Sequence, residues 1–160
     1  MIDNNSISKV KDNRKYFEQK LLDFLLCDTM LFYPDNLEIC EIYGEEIGNV
    51  LNDFNQLLGV DYRGTKGLCI VEENKKHQEK VDEYFSSIDV VLLAKIYAIA
   101  IKVRSVILSV LLVNSKIKYE KCVELSFFEE NFQQKKWGER LGLNEKKQSV
   151  LNEIKAILEE

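Results

Sequence analysis

The sequence predicts an all-α fold: a compact bundle of five to six helices around a buried central helix, with residues 1–160 forming one domain. Three observations lead there. Apolar residues recur at i, i+3, i+4 and i+7 along most of the chain. Start and stop signals for helices fall at the ends of those periodic segments. Breakers are scarce, with Pro34 the one proline and glycine at seven positions, which argues against the many turns of a β-sandwich. A fold of this size buries roughly 70% of its unfolded surface, so neither disulfide nor metal is needed to hold it.

The first helix is predicted from Asp12 to Leu26, with Asp12 as N-cap and Phe17, Leu21, Phe24 and Leu25 on one face. Cys27 to Pro34 follows as an extended connection, because a residue before proline is pushed out of the helical region. Asp35 and Glu38 have the spacing of a capping box, in which each side chain satisfies an orphan N–H at the start of a second helix. The apolar face of that helix is Ile39, Tyr43, Ile47, Val50, Leu51, Phe54, Leu57 and Leu58, and Gly59 stops it. Val60 to Val71 reads as a loop or minor hairpin around two glycines.

A short helix over Gln78 to Phe85 leads to Ser86 and Asp89, which form the next cap. The central helix runs from Ile88 to about Val113 and is apolar nearly all round, with Lys95, Lys102, Ser105 and Ser109 in one exposed lane. This stretch is long enough to span a bilayer. Its three cations, Lys95, Lys102 and Arg104, each cost about 2.5–3.5 kcal/mol near a bilayer centre, so burial by neighbouring helices fits better than membrane insertion. Tyr119 to Lys136 is amphipathic, with one of Phe127 and Phe128 inward and the other partly exposed, and Trp137-Gly138 ends it. Asn144 opens a last helix, whose face is Val150, Leu151, Ile154, Ile157 and Leu158.

Most kinds of chemistry are excluded. The net charge is −5 and no Lys/Arg run can track a phosphate backbone, so nucleic acid is not a partner. Cys27, Cys40, Cys69 and Cys122 lie far apart, and His77 is the single histidine, in a charged stretch that reads as surface. These cannot supply the paired ligands of a zinc site, and they read as free thiols in a reducing compartment. Gly64-Thr65-Lys66-Gly67 lacks the spacing of a phosphate loop. Adjacent acids such as Glu45-Glu46, Glu72-Glu73 and Glu129-Glu130 point about 100° apart on a helix and cannot share a metal or a proton. No catalytic residue, metal ligand or cofactor is predicted, and Met1 to Lys11 lacks the apolar segment of a signal peptide.

The most informative stretch is Leu125 to Glu139, LSFFEENFQQKKWGE. It resembles the signature of the assembly chaperones that act on the alpha subunit of the F1 sector of ATP synthase: Leu-Ser-Arg-Leu, acids, an aromatic, Gln-Ile, a polar pair and Trp-Gly. This chain keeps Leu125, Ser126, Glu129, Glu130, Phe132, Gln133, Trp137 and Gly138, and departs at Phe127, Gln134 and Arg140. Lesser landmarks follow the family's order: Asp28 to Tyr33, Thr65-Lys66-Gly67, and Ser105 to Asn114. The family's Trp-Asp-Pro in the second helix is missing, with Gly48-Asn49-Val50 in that place.

The resemblance implies a non-enzymatic chaperone that needs no cofactor and binds the unassembled alpha subunit. It implies partner contacts at Glu129, Glu130, Phe132, Gln133, Trp137 and Gly138. It also implies that the chain is the family's helical C-terminal domain, with the N-terminal β-rich domain absent or separately encoded. The alternative is a truncated or degenerate member that needs a separate partner domain. A bacterial cytoplasm is the expected compartment, with the mitochondrial matrix as the alternative.

Overall fold

The computed structural model describes residues 3–31, 37–64 and 73–159, and among these the chain forms helices and no strand. In chain order the helices are α1 (Asn4–Asp12), α2 (Arg14–Leu26), α3 (Leu37–Leu58), α4 (Gln78–Ser87), α5 (Val90–Val103), α6 (Val106–Val113), α7 (Tyr119–Ser126), α8 (Phe128–Trp137) and α9 (Leu143–Leu158). The all-α prediction holds. The helices are shorter and more broken than their periodicity suggests, and each break has a local cause.

The predicted first helix is α2, which starts at Arg14, and an additional helix, α1, precedes it. Asp3 caps α1 by accepting from the Ser6 N–H at 2.7 Å, and Asn13, at φ −128°, separates α1 from α2. Asp12 therefore ends a helix and does not start one. Residues 28–31 form a tight turn in place of an extended connection, because Asp28 Oδ1 accepts from the Met30 N–H at 2.9 Å. Asp35 and Cys69, and the Thr65-Lys66-Gly67 landmark, lie outside the described residues. The helix following Asp35 is present as α3, and Gly59 ends it in the left-handed region at φ 66°, with the Val60 N–H closing on the Asn55 carbonyl at 3.0 Å. Gly59→Ala is expected to cost about 1 kcal/mol in urea denaturation, since a Cβ is disfavoured at that φ.

After α3 the backbone at Tyr62 and Arg63 is held by two asparagines, and the rest of the expected loop or minor hairpin, residues 65–71, lies outside the described residues. Asn55 pairs both its amide groups with the backbone of Tyr62, each at 2.9 Å, and buried Asn74 does the same with Arg63 at 2.9 and 3.0 Å. Each side chain imitates a β-bridge and satisfies buried peptide groups without a strand. His77 stacks obliquely on Tyr62 with ring centroids 5.8 Å apart. Ser86 is not a cap. Its hydroxyl donates to buried Glu18 at 2.6 Å, while Asp89 alone caps α5 by accepting from the Leu92 N–H. Arg14 completes that polar joint by pairing with Glu18 and donating to the carbonyls of Phe85 and Ile88. This fastens α2 to the end of α4.

The core sits on α5 and α6, the predicted central helix, which is broken at Arg104-Ser105 into two helices packed on each other. Residues Val106 to Leu112 are all buried, as an all-round apolar sequence requires. Ser105 and Ser109 are buried as well, which corrects the exposed lane. Each has a partner: Ser109 Oγ donates to the Ile96 carbonyl at 2.7 Å, and Ser105 serves the junction described below. α3, α7 and α2 pack on α6, while α1, α2 and α9 cover α5. Phe127 and Phe128 are both buried at the α7–α8 junction, which corrects the expected split. The reason is the break itself: Phe127 leaves helical geometry at φ −108°, ψ 25°, and the turn lets consecutive side chains both face inward. Among the described residues, no helix is long and apolar enough to cross a membrane, and no group of three or more potential ligands is placed to hold a metal ion.

Candidate functional site: a braced helix end

The signature residues fall on α7, α8 and the loop after them, and the structure separates them into supports and exposed groups. Arg104 is the main support. It ends α5 in the left-handed region at φ 60°, a conformation that costs a non-glycine residue about 1–2 kcal/mol. Its guanidinium offsets that cost by reaching α7 and α8. Nη1 and Nη2 meet the two carboxylate oxygens of Glu130 at 3.1 and 3.3 Å, Nη2 donates to the Ser126 carbonyl at 2.6 Å, and the group lies 4.8 Å from the Phe127 ring centre. Burial alone pushes Glu130 up, but the hydrogen bonds and charge of Arg104 outweigh it and hold the carboxyl below its ordinary value.

Behind Arg104 lies a buried cap. Asp28, wholly buried, receives the Ser105 hydroxyl at 2.7 Å and the Met30 N–H on Oδ1, and the N–H groups of Val106 and Ile107 on Oδ2 at 2.7 and 3.0 Å. Ser105 Oγ accepts from the Leu108 N–H at 3.1 Å and the Ser105 N–H reaches the Ala100 carbonyl at 3.2 Å, so the four orphan donors at the start of α6, those of residues 105–108, are all satisfied. Thr29 Oγ1 donates to the Arg104 carbonyl at 3.1 Å. Two stretches far apart in sequence, Asp28-Thr29 and Ser126 to Glu130, thus meet on one junction.

Further ties hold α8 along its length. The Asn131 amide donates to Glu124 on α7, and Lys147 on α9 donates to Asn131 Oδ1 at 2.8 Å. Lys136 reaches Glu38 on α3 at 3.0 Å and lies over the rings of Phe132 and Trp137 at 5.6 and 5.8 Å. Gly138 turns the chain at φ 96° while its N–H closes on the Gln134 carbonyl at 2.9 Å. Gln133 and Gln134 accept from the Arg140 side chain and backbone, each at 3.1 Å, which folds the loop back on the helix.

Of the predicted contact residues, Phe132 is buried and supports α8 from within, and Glu130 is occupied by Arg104. Glu129 and Gln133 are exposed, and Trp137 is 72% exposed, with Leu141 fully exposed four residues on. Leu141, Lys136, Arg104 and the capping role of Asp28 escape a reading of the sequence. A lone arginine inside an apolar run is the signal that marks Arg104; Leu141 carries none. A fixed helix end and the loop after it thus carry two exposed large apolar side chains, Trp137 and Leu141, among exposed polar ones, which suits binding a surface.

Solved structures share this architecture. Atp12 from Paracoccus denitrificans superposes with a TM-score of 0.86 over 97% of this chain and 67% of its own, at 20% identity. The fold is that of Atp12. An aspartate-to-lysine mutant of P. denitrificans Atp12 aligns at TM-score 0.85 and 19% identity over the same 97% and 67%. The Atu1473 protein of Agrobacterium tumefaciens aligns at 0.74 and 18% identity, over 97% of this chain and 59% of its own. This chain thus spans about two thirds of the length of the Atp12 structures. No protein-family model and no curated protein sequence matches it.

Proposed function

We propose that this protein is an assembly chaperone of the F1 sector of ATP synthase that binds the unassembled alpha subunit and performs no catalysis. The observation that carries the reading is the coincidence of the Atp12 fold with the Leu125 to Gly138 signature, whose last residues form the exposed end of α8. A free subunit exposes apolar surface that later lies in an interface, and shielding it calls for an apolar anchor with a polar rim. Trp137 and Leu141 supply the anchor, and Glu129, Gln133 and Arg140 supply the rim. Gly138 shapes the turn between them, while Glu130 and Phe132 act by holding α8 in place.

Co-expression with the alpha subunit and a pull-down tests this. The chain is expected to retain alpha, and Trp137→Ala is expected to weaken capture roughly tenfold or more, as for an interface hot spot. Retention unchanged in a Trp137→Ala, Leu141→Ser double variant would rule out this surface. A second reading, a helical domain that acts only with a separate β-rich domain, is favoured by the third of Atp12 that the match leaves uncovered. It predicts that alpha is retained only when that part of Atp12 is supplied in trans.

A further inference from the structure

Away from α8, the helices α1, α2 and α5 surround a groove of about 540 Å3. Its form follows from residue size. Ala94 and Ala98, one turn apart on α5, leave a trough walled by Tyr16, Phe17, Tyr97 and Ile101. Phe17 meets Tyr97 edge to face at 4.8 Å and Tyr16 at 5.4 Å, which fixes the aromatic wall. Tyr16 and Ile101 nonetheless stay 57% and 52% exposed. Two large apolar groups facing water across a trough form an unfilled surface.

The charge of the lining identifies what fills it. The whole chain carries −5, yet the charged residues lining the groove, Lys9 and Lys102, are both cationic. Lys20 adds a third cation 5.4 Å from the Tyr16 ring centre. Lys102 is paired with Glu153 on α9, whereas Lys9 and Lys20 form no ion pair among the described residues. A small ligand is enclosed over 70–90% of its surface in an ordinary pocket, and walls half open to water do not enclose one. A second copy brings the same lysines to a two-fold contact, where they repel.

We propose that this groove docks an acidic amphipathic helix of a partner protein. Apolar side chains at i, i+3 or i+4, and i+7 lie in the Ala94–Ala98 trough, and flanking carboxylates meet Lys9 and Lys20. The inference is independent of the chaperone reading, because no α8 residue lines the groove.

The test is a titration of the full chain, isotope-labelled for NMR, with an 18-residue helical peptide of Leu at a/d positions and Glu elsewhere. Its control carries Lys in place of every Glu. The Glu peptide is expected to shift the resonances of α1, α2 and α5 and to weaken roughly tenfold in high salt. The Lys peptide is expected to bind at least about tenfold more weakly, and Lys9→Glu with Lys20→Glu to weaken the Glu peptide about fivefold or more. Ala98→Trp fills the trough, and the surface change Ile101→Ser removes a wall; each is expected to weaken binding in a protein of unchanged circular dichroism. Equal binding of both peptides, shifts confined to other helices, concentration-dependent dimerisation through the groove, or filling by dodecanoate with no peptide binding would each overturn the proposal.

Discussion

Asp28→Ala is expected to lower the unfolding free energy by about 3–5 kcal/mol in urea denaturation, the largest single-residue loss outside the apolar core. The carboxylate receives three backbone N–H groups and one hydroxyl, all buried with it. Alanine leaves those buried donors without their protein acceptor. Asp28→Asn keeps the shape but presents an NH2 where an acceptor is needed, so an intermediate loss of about 2 kcal/mol is expected.

The pH dependence separates the two variants further. Burial, the dominant influence, pushes the Asp28 carboxyl up from 3.8 to about 6, and the Ser105 and backbone hydrogen bonds recover only part of the shift. The folded state therefore holds the proton more tightly than the unfolded state between about pH 4 and 6. Stability from this group rises as pH falls through that window, by roughly 1.4 kcal/mol between pH 7 and pH 5. The stability of the native chain relative to Asp28→Asn should grow by that amount over this range. A difference that is flat with pH would show that Asp28 stays ionised throughout.

The second large effect is expected at Glu130. Glu130→Lys sets an ammonium against the Arg104 guanidinium in place of a two-point ion pair, at an expected cost of about 2 kcal/mol after allowance for partial exposure. Glu129→Lys, one residue earlier on an exposed face, should change stability by less than about 0.5 kcal/mol. Thermal unfolding of the two variants distinguishes a supporting acid from a surface acid. In capture of the alpha subunit, Glu130→Lys should act by loosening the end of α8, and Arg104→Glu on that background should restore part of the loss. The pH effect at this site has the opposite sign to Asp28. The Glu130 carboxyl lies below its ordinary 4.5, so its contribution is present above that value and is lost as pH falls through the lower folded value.

The regular helices are legible in the sequence where one face is apolar and the ends carry local signals. α3 is the clearest case, since its eight periodic residues all lie within Leu37–Leu58 and Gly59 follows directly as the stop. The break at Arg104-Ser105 is not legible. Ser105 looks like one position of a polar lane until Asp28, 77 residues earlier, is placed against its hydroxyl. Periodicity records which face is apolar and says nothing of a cap supplied from elsewhere. Phe127 hides the α7–α8 junction for a similar reason, being apolar, neither glycine nor proline, and bonded through its own N–H to Val123. At the candidate site, the signature marks the segment from Leu125 to Glu139. Which of its residues face outward depends on Arg104, a residue outside it.

The position of Asp28 also bears on how the chain is made. α5 and α6 form the most apolar stretch of the protein, and their connecting turn has bare peptide donors until a carboxylate arrives. During synthesis the N-terminal end leaves the ribosome first, so Asp28 is already outside when Ser105, Val106 and Ile107 emerge. The apolar pair can be sealed as it appears, without waiting for α7 to α9. A circular permutant that moves residues 3–31 to the end of the chain reverses that order and leaves the start of α6 without its carboxylate for the rest of translation.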